Sequence, residues 1–187
     1  MTDASRRGPE VHADRHRRLF FALWPDVATR ARIAGELDGW IGLSKGRPQR
    51  PDQWHVTLVF IGGVDANRIK EVERAGASVR GRMSELCLDR LEYWHKPRVA
   101  CLTASATPEP LLALVQELET ALAERDVEFE RRDYHPHLTL VRKVTRFERP
   151  DAMPALTWPI REFVLVESLT GRDGSRYEPF AHYALDV

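Results

Sequence analysis

The pattern His-x-Thr-Leu-Val occurs twice in this 187-residue chain, as His55-Val56-Thr57-Leu58-Val59 and as His137-Leu138-Thr139-Leu140-Val141. One copy is ordinary for a half-buried strand. Two copies predict a pair of equivalent strands, each offering one imidazole and one hydroxyl. The runs Trp54–Phe60 and His137–Val141 are short, apolar and rich in β-formers. Residues two apart on a strand share a face. His55, Thr57 and Val59 are therefore expected on one side, with Val56, Leu58 and Phe60 on the other. The second copy sets His137, Thr139 and Val141 against Leu138 and Leu140. The apolar face suits packing on helices and the His/Thr face suits a cleft. Imidazoles titrate near neutral pH, so such a pair fits acid–base chemistry on a phosphate.

The rest of the chain supplies a scaffold for two such strands. Residues 1–17 are polar and basic and read as a disordered arm, leaving 18–187 as a single domain. A strand is expected over Arg18–Trp24, and Pro25-Asp26 opens a helix to about Trp40. A Gly-, Pro- and Arg-rich loop, Gly42–Gln53, leads into the first motif strand, which Gly62-Gly63 is expected to stop. A helix over Ala66–Arg82, a hairpin of Leu86–Trp94 with Val99–Ala104, and an amphipathic helix over Pro108–Arg125 follow. After the second motif, Phe163–Leu169 and Tyr177–Leu185 read as a hairpin turning at Gly171-Arg172-Asp173-Gly174. The order β-α-β-α-β-β-α-β-β-β favours an α+β fold of mostly antiparallel sheets with helices outside.

Composition excludes more than it selects. Hydrophobic content of 43% with 30% charged residues describes an ordinary globular chain, and a formal net charge of +0 demands neither nucleic acid nor membrane. Any anion site must come from local clustering. No apolar stretch has the length of a membrane span, and the N-terminus lacks a signal-peptide core. Without a secretory signal, Cys87 and Cys101 are expected as reduced, buried thiols, and a cytoplasmic location follows by default.

The motif blocks resemble the 2H phosphoesterase superfamily, and within it the RNA 2′,3′-cyclic phosphodiesterases, also called 2′-5′ RNA ligases. Arg18-Leu19-Phe20-Phe21-Ala22-Leu23 resembles the opening strand of that family. Arg47, Pro51 and Trp54–Gly62 resemble its first block, Pro136–Arg142 its second, and Ser168 through Tyr177 its closing hairpin. The resemblance implies a bilobal fold, with two pseudo-twofold-related lobes around a central cleft. It also implies a monomer that opens the 2′,3′-cyclic phosphate of RNA ends or nucleotides to a 2′-phosphate, without metal or cofactor. By resemblance His55 is the proton donor and His137 the proton acceptor, though pseudo-symmetry makes the two roles interchangeable on sequence alone. Thr57 and Thr139 would hydrogen-bond the non-bridging oxygens.

Other residues have both functional and structural readings. Arg142 would reach the phosphate only if its strand bulges, because a regular strand points it away from His137. Arg47 and Arg50 could meet RNA phosphates or remain on a solvated loop. Tyr177 and Phe20 are candidates for contact with a base, whereas Trp54 is expected in the core. His135 with His55 and His137 would make a three-histidine zinc set, but Pro136 marks the strand's start and the no-metal reading stands. His95 and His182 read as structural or surface residues. Competing functions are a non-catalytic RNA-binding module and a related enzyme acting on 2′-5′ linkages or ADP-ribose cyclic phosphate.

Overall fold

The computed structural model describes residues 16–37, 40–149, 155–171 and 174–187. Among these residues ten strands and three α-helices follow in chain order: β1 (His16–Leu23), α1 (Val27–Glu36), β2 (Lys45–Pro48), β3 (Val56–Asp65), α2 (Ile69–Ser78), β4 (Ser84–Leu88), β5 (Arg90–Trp94), β6 (Val99–Thr103), α3 (Glu109–Ala123), β7 (His137–Arg146), β8 (Leu156–Ile160), β9 (Glu162–Gly171) and β10 (Gly174–Ala184). Most lie in one antiparallel sheet ordered β10-β9-β1-β3-β7-β6-β5, with β2 also on β7; β4 and β8 pair separately. The expected α+β architecture is therefore present, and its two sheets are the halves of one eight-stranded array.

Those halves meet at a single registered pair, Val56 with Leu138. Further along the same edge β7 leaves β3 and pairs instead with β2. The two halves repeat a plan: β1 leads through α1 to its antiparallel neighbour β3, and β6 leads through α3 to its antiparallel neighbour β7. Ala22 opposes Thr57 in one half and Cys101 opposes Thr139 in the other. Val56 and Leu138 hold the same place in the two motifs, so the pseudo-twofold axis passes between them.

Burial follows the alternation of the strands. In β1, Leu19, Phe21 and Leu23 join the main core with Ile33 of α1, Val72 and Ala75 of α2, and Leu111, Leu114 and Leu118 of α3. Phe20 and Ala22 face the other way and form a smaller cluster with Val164 and Val166, against which Trp24, Phe60 and Tyr177 pack. Both sheet faces are thus covered at this point, and the second cluster supplies an apolar floor on the cleft side.

The sequence expectations need correction at several boundaries. β1 begins at His16, where His16 pairs with Asp65 and Arg17 binds Glu167, so these two residues belong to the sheet and not to the arm expected over 1–17. β3 does not stop at Gly62-Gly63: Gly62 takes φ +88° inside a bulge and pairing continues to Asp65. Leu86–Trp94 is two strands, because β4 pairs with β8 whereas β5 pairs with β6. Strands β2 and β8 have no counterpart in the sequence reading; one is polar and four residues long, and the other carries Pro159. Helices α1 and α2 are shorter than expected. Cys87 is exposed, not buried, and Cys101 is buried. The remaining arm residues and the Arg172-Asp173 turn lie outside the described residues.

Two glycines test the packing with opposite signs. A Cβ on Gly76 of α2 would lie 2.6 Å from Tyr183 and 2.9 Å from Phe21, whereas one on Gly35 of α1 meets nothing within 4 Å. In urea unfolding, Gly76→Ala is expected to lose about 1–3 kcal/mol by overpacking. Gly35→Ala is expected to gain up to about 1 kcal/mol from helix propensity. Equal effects at the two positions would contradict this packing.

Candidate active site

The Leu-Val step of each motif is a β-bulge. On β3, Ala22 pairs with Thr57 and Phe21 with Val59, which skips Leu58. On β7, Cys101 pairs with Thr139 and Ala100 with Val141, which skips Leu140. One extra residue reverses the facing of everything beyond it. The expectation that Val59 and Val141 share the histidine face is therefore corrected: both are in the main core, at 3% and 1% exposure. Phe60 and Arg142, expected on the opposite face, turn toward the cleft instead. Phe60 packs on Phe20. Arg142 donates to Gln49 Oε1 at 3.3 Å and to the Tyr177 hydroxyl at 3.4 Å.

Each imidazole is held in the same way. His55 Nδ1 lies 2.8 Å from the carbonyl oxygen of Gln53, and His137 Nδ1 lies 2.9 Å from that of His135. A carbonyl oxygen only accepts, so Nδ1 carries the hydrogen in both rings and Nε2 is left with the free lone pair of the neutral ring. Antiparallel pairing at Val56 and Leu138 sets His55 across from Thr139, and Thr57 across from His137. Two imidazoles and two hydroxyls therefore stand crosswise about the pseudo-twofold axis. Thr57 and Thr139 are both half-buried.

The surroundings of the two histidines differ. The Trp24 ring stacks on His55 at 5.4 Å and 6° between planes, Phe20 lies at 5.1 Å and Tyr177 at 4.7 Å. His137 has one aromatic neighbour, Trp94, at 4.6 Å. Burial pushes His55 down to about 4 from the ordinary 6.5, against the Gln53 hydrogen bond, and the charges of Arg142 and His137 lower it further. Burial also lowers His137, opposed by its bond to His135, with Arg132, Arg142 and His135 adding repulsion. Arg142 thus acts on both rings.

Among the remaining expected site residues, Tyr177 lies at the cleft. Its main-chain N–H donates to Gln53 Oε1 at 2.7 Å, and its carbonyl accepts from Gln53 Nε2 at 3.3 Å. Arg47 stands in β2 directly opposite Arg142. Phe20 is 2% exposed beneath His55 and has no open face for a base, so the base contact expected there is corrected to a packing role. Trp54 is core, at 1% exposure. His135 contributes its carbonyl and its side chain is exposed; among the described residues no three His, Cys, Asp or Glu gather as metal ligands. His95 and His182 are exposed. Sequence reasoning missed Gln53, which joins the His55 turn to β10, and the tryptophans beside each histidine. The available signal for Gln53 was its place two residues before His55, matching His135 before His137.

Comparison with known proteins agrees with this geometry. The family described as LigT like Phosphoesterase matches residues 25–101 and, a second time, residues 102–177. The chain belongs to the LigT-like 2H phosphoesterases. The RNA 2′,3′-cyclic phosphodiesterase of Escherichia coli K12 is 30% identical over 177 residues, covering 90% of this chain and 96% of that one. The crystal structure of E. coli LigT complexed with 3′-AMP superposes with a TM-score of 0.80 at 29% identity, covering 91% of this chain and 98% of the other. TT0787 of Thermus thermophilus gives a TM-score of 0.76 at 26% identity, covering 90% and 97%. The two family matches divide this LigT-like chain into consecutive halves, each containing one His-x-Thr motif.

Burial of a neutral imidazole has a consequence for stability. In the folded LigT-like chain His55 takes its proton near pH 4, whereas the unfolded chain takes it near 6.5. Between those values the unfolded state binds more protons, so stability is full above 6.5 and falls as pH drops through the window. The loss is up to about 3 kcal/mol, less where solvent reaches the Nε2 edge. Urea midpoints measured from pH 7 to pH 4.5 are expected to fall in the wild type and to fall less in His55→Gln. Parallel curves for the two proteins would contradict a buried, neutral His55.

Proposed function

We propose that this protein hydrolyses the 2′,3′-cyclic phosphate of RNA ends or nucleotides to a 2′-phosphate by two-histidine acid–base catalysis, without a metal. The observation that carries the reading is the matched pair of imidazoles, each fixed through Nδ1 by the carbonyl two residues before it, on either side of one strand-to-strand contact. Two such imidazoles suit in-line displacement, where attack and departure occur on opposite sides of phosphorus. One neutral Nε2 takes the proton of the attacking water. The other, protonated, gives its proton to the departing 3′-oxygen. Thr57 and Thr139 donate to the non-bridging oxygens as charge builds there, and Arg142 offsets that charge.

Both histidines are held below their ordinary value in the free protein. The acid's proton is therefore acquired with the substrate, because an anionic phosphate between the rings favours imidazolium. Family resemblance assigns donation to His55 and acceptance to His137. Arg47 and Tyr177 extend the reading toward the RNA strand. The E. coli relative's name and its 3′-AMP complex support a nucleotide or RNA substrate. RNA end processing by a cytoplasmic monomer completes the proposal.

Incubation with an oligonucleotide ending in a 2′,3′-cyclic phosphate, with and without EDTA, tests it. A 2′-phosphate product that survives chelation is expected, and His55→Ala and His137→Ala each lower the rate by about 10²–10⁴-fold. The bell-shaped profile of kcat/KM is expected to centre below pH 6.5, because both free-enzyme values are lowered from there, whereas that of kcat shifts upward with phosphate bound. A 3′-phosphate product, or activity indifferent to both substitutions, would contradict the mechanism.

A further inference from the structure

Beside the histidines lies a cavity of about 350 Å³ whose lining includes Arg47, Gln49, Arg50, Arg142, Lys143 and Tyr177 and, among the described residues, no carboxylate. Neither histidine nor either motif threonine lines it, so it adjoins the reacting position without being it. Arg142 and Tyr177 are shared walls: Arg142 acts electrostatically on both imidazoles, and the Tyr177 ring is 4.7 Å from His55.

The basic side chains of this cavity are arranged at a cost. Arg47 and Arg142 are direct cross-strand partners of β2 and β7. Like charges placed so are mutually destabilising. Arg142 is met only by the neutral Gln49 and Tyr177, and Arg47 has no ion pair among the described residues. Arg50 alone is compensated, by both oxygens of Asp52. The close approach of β2 depends on Gly46, where a Cβ would lie 2.7 Å from Val141. The guanidinium of Arg47 in turn lies over Gly174, whose φ is +111° and whose added Cβ would come within 3.0 Å of it. Lys143 takes φ 53°, a conformation L-residues rarely adopt, at the cavity wall. Two opposed arginines, a strained lysine and two close glycines are a poor arrangement for an empty surface. They are what an anion would stabilise.

We propose that this cavity is a second phosphate-binding subsite, holding the phosphodiester that adjoins the cyclic phosphate on the same RNA strand. The inference rests on the function proposed above, which puts the cyclic phosphate between the histidines. Arg142 then spans two successive phosphates, with Arg47 and Lys143 serving the second. The ligand is the backbone charge, not a base, so the subsite confers length preference without sequence preference.

The charge of the linkage is the variable to change. Two dinucleotides ending in a 2′,3′-cyclic phosphate are compared, one with a natural internucleotide phosphate and one with an uncharged methylphosphonate. The wild-type protein is expected to show a KM about tenfold or more lower for the charged linkage, with kcat little changed, as befits a charge-assisted contact. In Arg47→Ala that ratio is expected to fall toward one, and in Arg47→Lys to be partly kept. A wild-type ratio near one, or an unaltered ratio in Arg47→Ala, would overturn the subsite. Turnover of either dinucleotide reports separately on the function proposed above. If neither is turned over, calorimetric binding of the matching dinucleotide 2′-phosphates gives the same charged-to-neutral ratio and decides the subsite alone.

Discussion

Everything at the centre of this molecule depends on the pairing of Val56 with Leu138, where the two halves of the sheet touch. Neither residue is chemical; both are fully buried in the main core, at 0% exposure. Their register nonetheless sets all four polar side chains. A slip of one residue would send the histidines and threonines to the core face and the apolar residues to the cleft, at large desolvation cost. The hydrophobic demand of Val56 and Leu138 thus fixes the placement of these four side chains more firmly than any contact among the polar groups. Because β7 turns from β3 to β2 beyond that pair, the motif strands part, and a cleft follows from the topology.

The bulges then break the symmetry that the motifs establish. Both strands take their extra residue at Leu-Val, and both re-aim the side chain that follows. On β3 that side chain is Phe60, which enlarges the apolar floor around His55; on β7 it is Arg142, which brings a fixed positive charge. One histidine therefore sits among three aromatic rings and the other beside a single tryptophan. Identical local motifs thus acquire different surroundings, burial pushing His55 down to about 4 and lowering His137 as well.

Much of this was legible in the sequence, for definite reasons. The repeated motif points to the pair of strands, and the apolar run Leu19–Leu23 ended by Pro25 and the helical spacing in Leu111–Leu122 locate a strand and a helix of the core. Phe20 and Arg142 show where period-2 reasoning fails. Phe20 looked available to a base because strand alternation says which face a residue takes, not that the face is covered. Arg142 was ambiguous because a bulge is a property of pairing, which one strand's residues do not reveal. Strands β2 and β8 were missed for the same reason: Lys45–Pro48 is polar and Leu156–Ile160 contains a proline, so tertiary partners, not local propensity, make them strands. The Gln53 clamp on Tyr177 joins residues 124 apart and leaves no local trace.

The carbonyls of Gln53 and His135 fix both imidazoles as Nδ1–H tautomers. Nitrogen-15 NMR of histidine-labelled protein at neutral pH, assigned through His55→Gln and His137→Gln, reads this directly. Both rings are expected to carry hydrogen on Nδ1 and a free lone pair on Nε2. Finding either ring predominantly in the Nε2–H form would contradict it.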